Sequence, residues 1–172
     1  MGDGWPSRGA ATATAPKLRH LEGTRILVVE DSPSARKLLQ EVLLRLGVPL
    51  ANLRLAATVS EALQVFAQWR PEIVFVDLEL RQPPDVPAAQ LAAQPVPANA
   101  PKNGAELAVL FSSREPGLKV VVCSASDPAG TVIADRVRQG KVKAIIKPVL
   151  AGKVQDVLAA FAEPAGPSDR RR

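Results

Sequence analysis

The fold turns on the stretch RILVVEDSPSARKLL, Arg25 to Leu39. An apolar run of strand length meets two adjacent carboxylates, Glu30 and Asp31, and a helical pattern starts at once. A strand that is apolar on successive residues is covered on both faces. Ser32 suits a helix cap and Pro33 the first turn. Ala35, Leu38, Leu39, Val42, Leu43 and Leu46 then keep helical spacing until Gly47. Neighbouring carboxylates repel each other, and burial makes each harder to ionise. The acid pair therefore calls for something positive beside it.

The alternation of strand and helix continues outward from this unit. LRLAAT predicts a weak second strand, and SEALQVFAQWR a helix with Leu63, Phe66 and Ala67 inward and Trp69 partly buried. EIVFVD is a third strand, again fully apolar and again ending in a carboxylate, Asp77. GAELAVLFSS predicts a short helix, KVVVCSA a strand, AGTVIADRVRQ a weaker helix, VKAIIK a fifth strand and VLAGKVQDVLAAFA a fifth helix. Five strands alternating with five helices imply an α/β fold: a doubly wound, five-stranded parallel sheet with helices on both faces. Such sheets place their sites outside the carboxyl ends of the strands. That rule gathers Glu30, Asp31, Asp77, Ser124 and Lys147 at one rim.

The flanks read differently. Residues 1–22 are rich in Ala, Thr, Gly and Pro and predict a disordered arm that includes Trp5 and His20. Residues 23–162 form the domain, and 163–172 a basic tail ending in three arginines. The net charge of +5 comes from scattered cations rather than one basic face, which argues against nucleic-acid binding. One cysteine, Cys123, excludes an internal disulfide and reads as a small core residue. No apolar run approaches membrane-spanning length, and no secretory signal is visible, so a cytoplasmic location is expected.

The rim set has a chemical logic. Three carboxylates from two strand ends make an oxygen-rich site suited to a hard cation such as Mg2+, which would also keep them ionised. An ionised Asp77 could attack phosphorus, while Lys147 and the Ser124 hydroxyl hold the oxygens of the transferred group. Each residue also has a plainer reading. Glu30 and Asp31 could serve the dipole of the following helix. Ser124 could bond loop backbone, and Lys147 could pair an acid.

In the order VVED, IVFVDLEL, NGAEL, VVVCSAS and IIKPV, the chain resembles the receiver domains of bacterial response regulators, from Thr24 to about Ala162. The resemblance implies the (βα)5 flavodoxin-like receiver topology. It implies that Asp77 accepts a phosphoryl group from a sensor histidine kinase or phosphotransfer protein. Asp31 would be the main Mg2+ ligand with Glu30 assisting, and the Glu79 backbone carbonyl would complete the protein ligands. Ser124 would be the switch hydroxyl and Lys147 the cation paired with the phosphate. The Lys147–Pro148 bond would be cis. Self-dephosphorylation is expected, but not a free-standing enzyme: EDSPS offers no Gly-rich dinucleotide turn, and D-x-D is absent after the first strand.

Three features depart from the family pattern. Ala144 stands where a large aromatic is usual three residues before the lysine. Glu79 places another acid two residues after the acceptor. Gly104 lies 27 positions beyond Asp77, where the family spacing is about eight. The excess, Arg81 to Lys102, holds six prolines and six alanines in 22 residues, which favours extended chain. One turn, Pro87 to Gln94, could be helical behind Asp85. The plainest account is a tolerated surface insertion; a lid or specificity surface is the alternative.

The ten residues after Ala162 leave no room for an output domain, so no DNA-binding domain is expected. A signal would then pass to a downstream protein target by contact, and a homodimer is compatible with this. A receiver-like scaffold that binds its partner without phosphorylation is the alternative.

Overall fold

The computed structural model describes Leu18 and residues 21–80, 101–115 and 117–162. The residue 1–17 portion of the arm, His20, the body of the insertion with its candidate turn at Pro87 to Gln94, and the tail from 163 lie outside the described residues. In chain order the elements are β1 (Ile26–Val29), α1 (Pro33–Arg45), β2 (Leu53–Ala56), α2 (Val59–Trp69), β3 (Ile73–Asp77), α3 (Gly104–Arg114), β4 (Lys119–Ser124), α4 (Ala134–Arg138), β5 (Val142–Ile146) and α5 (Ala151–Ala162). The strands form one parallel sheet in the order β2-β1-β3-β4-β5. The doubly wound fold expected from the alternation is the one observed.

Side chains on a strand alternate faces, and each face here has its own core. Leu27, Val29, Val74, Val76, Val120 and Val122 meet Ala62 of α2 and Leu107 and Phe111 of α3. Ile26, Val28, Ile73, Phe75, Val121 and Ile145 meet Leu39 and Leu43 of α1 and Val154 and Leu158 of α5. Every residue of β1 and β3 is buried. With almost no aromatics available, the stacked pair Phe66 and Phe111, 4.4 Å between ring centroids, fills the space between α2 and α3.

The helix starts follow local chemistry. Ser32 accepts the Ala35 N–H at the head of α1, Thr58 the Glu61 N–H at α2 and Asn103 the Glu106 N–H at α3. Glu61 and Glu106 reach back to the N–H groups of Ala57 and Lys102, so each of these ends has two donors satisfied reciprocally. Gly47, at φ 99°, follows α1 in the left-handed region that a Cβ disfavours.

Four expectations need correction. Leu38 is 49% exposed and Ala67 is exposed, because each sits at the edge of its helix's apolar stripe. The fourth helix is only five residues long. Its expected first turns are a 3-10 turn, Pro128–Gly130, capped by Asp127, and Gly130 and Thr131 interrupt the helical run. The arm was expected to reach residue 22, but Leu21 is buried and Leu18 packs on the same core cluster. The Leu18 N–H donates to the Leu46 carbonyl, and Asn52 Nδ2 donates to Glu22 O at 2.8 Å. At the insertion, Leu80 and Pro101 are both buried, so the segment's two feet stand on the domain.

Candidate functional site

Strand order determines where a site can form. From β1 the chain crosses to β2 on one side, then returns to β3 on the other, which opens a crevice between the carboxyl ends of β1 and β3. Glu30 and Asp31 follow β1 there, and Asp77 is the last residue of β3. One carboxylate oxygen from each of these three lies within 4.8 Å of the others. Ser124 ends β4, and Lys147 follows β5. All five rim residues singled out in the sequence therefore meet at this rim.

Glu30, Asp77 and Ser124 are the buried polar residues of the described chain. Lys147 Nζ lies 2.9 Å from Asp77 Oδ2 and 3.2 Å from Glu30 Oε2. One ammonium thus serves two acids. Its backbone is tied to β4, the Lys147 N–H donating to Ser124 O at 2.7 Å. The Lys147–Pro148 bond is cis, as expected. Burial works against the lysine's charge. Its bonds to Asp77 and Glu30 outweigh that, and the ammonium titrates above the ordinary lysine range. Burial first, and the neighbouring Asp77 charge second, push the Glu30 carboxyl up, against the pull of Lys147.

Glu30 Oε1 also accepts the Ser32 N–H at 3.3 Å, so this acid serves the start of α1 as well as the rim. The Ser124 hydroxyl accepts the Ser126 N–H at 3.3 Å, which is the bond the plainer reading of that serine anticipates. The Glu79 side chain is exposed, and its N–H donates to Asp77 Oδ1 at 3.1 Å. Cys123 pairs in register with Asp77 across β3 and β4. Burial, then the Asp77 charge, push its thiol up to about 12, so it stays protonated and unreactive. Ala144 is half-buried against the α2/α3 core and offers only a methyl group where the family pattern has a ring.

Two rim features escaped the sequence reading, the close approach at Gly104 and the role of Arg36. A Cβ on Gly104 would clash with the Asp77 carbonyl oxygen, so the head of α3 seats directly on the peptide of the candidate acceptor. Arg36 Nη1, from the first turns of α1, donates to the carbonyls of Glu30 at 2.5 Å and Asp31 at 3.3 Å. Counting the acceptors of a strand that leaves its sheet could have raised Arg36. Nothing local could have raised the close approach at Gly104.

The donor set fits a hard divalent cation: three carboxylates converge, none is a soft ligand, and one lysine is shared between two of them.

No family model matches the chain. Among curated proteins it is similar to the chemotaxis protein CheY of Thermotoga maritima, 24% identical over 136 residues that cover 79% of this chain and 95% of that protein. Among solved structures it resembles the response regulator TrrA of Thermotoga maritima in complex with Mg2+-BeF, with a TM-score of 0.59 and 20% identity over 80% of this chain and 98% of that one. It also resembles the receiver domain of NtrX from Brucella abortus, with a TM-score of 0.59 and 24% identity over 79% and 96% of the two chains. Motif order, strand order and these likenesses agree: the chain has the fold of the CheY-like receiver domains and is similar to them in sequence.

Proposed function

We propose that this chain is a phosphorylation-controlled signalling switch in a two-component relay, with Asp77 as the phosphoacceptor. The supporting observation is the setting of Asp77: buried at a strand tip, bonded to Lys147, and clustered with two further acids. An acid pocket with one shared cation is electrostatically costly in a domain that only needs to fold.

An Asp77 carboxylate oxygen attacks phosphorus of a phosphohistidine on a sensor kinase or phosphotransfer protein. The new O–P bond forms as the P–N bond breaks, and the electron pair returns to the imidazole nitrogen, which takes up a proton. Lys147 moves its ammonium from carboxylate to phosphoryl oxygen, and the Ser124 hydroxyl supplies a further donor. Catalysis of this transfer consists of placement and charge neutralisation. Glu30, Asp31, Asp77 and the Glu79 backbone carbonyl would hold Mg2+, which contributes positive charge against the phosphoryl oxygens. Water later hydrolyses the acyl phosphate, and a downstream protein reads the state by contact. Such a role belongs to the cytoplasm, where phosphoryl donors and Mg2+ are present. Among the described residues no helix is long and apolar enough to cross a membrane.

Incubation with acetyl phosphate and Mg2+ should label the wild type at Asp77 and leave Asp77→Asn at background. Label on the Asn variant would move the acceptor elsewhere. Ala144 favours a second reading, since without a ring at that place the usual relay from Ser124 to the surface lacks its moving part. On this scaffold reading, partner affinity is the same with and without phosphodonor.

A further inference from the structure

We infer that Arg36 is a positioning residue for the acid pair after β1, and that it sets the direction of the carboxylates which take a divalent cation. The inference rests on the metal reading of the rim proposed above. β1 pairs with both neighbours only as far as Val29. Glu30 keeps one bond to the sheet, its N–H donating to Ala56 O at 3.1 Å, while the carbonyls of Glu30 and Asp31 lie beyond the paired register. One nitrogen of the half-buried Arg36 guanidinium spans both carbonyls, at 2.5 Å and 3.3 Å. Two successive peptide planes are thereby tied to the first turns of α1, and with them the Cα–Cβ directions of both acids. The Glu30 side chain is then held from two more sides, by the Ser32 N–H and by Lys147 Nζ.

Charge alone would not select a cation at this place. A guanidinium beside a dication site opposes metal binding, so its benefit must come from geometry. A rigid planar guanidinium held by α1 sets that one nitrogen between the two carbonyls, and a lysine ammonium on a flexible stem is not held there. Groups that orient metal ligands typically cost about 10- to 100-fold in affinity when removed.

The test is calorimetric titration of MgCl2 into the full chain at neutral pH, for wild type, Arg36→Lys and Arg36→Gln, with thermal melts in chelator alongside. Positioning predicts that Lys, which keeps the charge, and Gln, which loses it, both weaken Mg2+ binding, by about tenfold. A Lys variant within twofold of wild type, or a Gln variant that binds more tightly, overturns the inference and leaves a charge effect. Lower melting temperatures with unchanged Mg2+ affinity also overturn it, since they mark a purely structural bond. A wild type that takes up no Mg2+ overturns the metal reading itself and this inference with it.

Discussion

The two ends of the sheet carry charge in opposite ways. At the amino ends of the strands, Arg25 meets Glu72 at 3.9 Å and Arg70 meets Glu115 at 4.0 Å, each pair one-to-one and largely in water. These residues line a cleft of about 270 Å3 with Phe66, Pro71 and Leu118. At the carboxyl ends, Asp77 and Glu30 are buried to 3% and 7% side-chain exposure and share one lysine. Exposed one-to-one pairs contribute little, and water replaces them easily. Buried acids that outnumber their cation are held at a cost, and they leave room for another positive group. Charge imbalance under burial, rather than charge itself, separates the candidate rim from the solvated one.

The sharpest break in that comparison is Lys147→Ala. Without the shared ammonium, labelling of Asp77 by acetyl phosphate should slow by about 100- to 1,000-fold, measured as initial rate. A variant that labels at the wild-type rate would make Lys147 a mere rim pair. Gly104→Ala comes next. Its Cβ cannot coexist with the Asp77 carbonyl, so α3 must lift, and urea melts should show a loss of about 1–3 kcal/mol. Wild-type stability would mean that α3 can rise without strain.

Glu30→Gln tests the cost of burial through pH. In metal-free protein the Glu30 carboxyl lies above its ordinary 4.5, raised by burial first and Asp77 second. The folded state then holds this proton more tightly than the unfolded chain does. Glu30's contribution to stability is therefore full below 4.5 and is lost as pH rises through the raised value. In chelator the Gln variant should gain on wild type as pH climbs from 4 to 7, seen in paired denaturation curves. A gain toward acid would reverse the sign. The smallest effect belongs to the other rim, where Arg70→Ala should change stability by less than about 1 kcal/mol and less still in high salt. A larger loss would show that the outer pairs do more than solvate the strand starts.

Much of this was legible in the chain because its signals are local. Apolar runs ending in Glu30 and Asp77 marked both the strands and the rim, and parallel winding brought those tips together. The sequence was less informative wherever tertiary contact overrides local pattern. Leu18 and Leu21 looked like parts of an Ala- and Pro-rich arm, yet their burial depends on the space beside Leu46 and Val48, which no short window displays. α4 was over-extended because Val132 and Ile133 mimic a helical stripe, although Val132 is 68% exposed and Ile133 fully buried. Gly104 matters through a carbonyl 27 positions away.

Cys123 has a practical consequence. The sequence has this one cysteine, and the folded chain keeps it sealed and protonated beside β3. The Cys123 side chain lies in the core beneath α1 and α5, so a soluble disulfide reagent can react only when that cover opens, and its uptake rate is a clock for opening of this core. Run before and after the acyl phosphate forms, that clock would report whether charging the rim tightens the middle of the molecule, with no added probe.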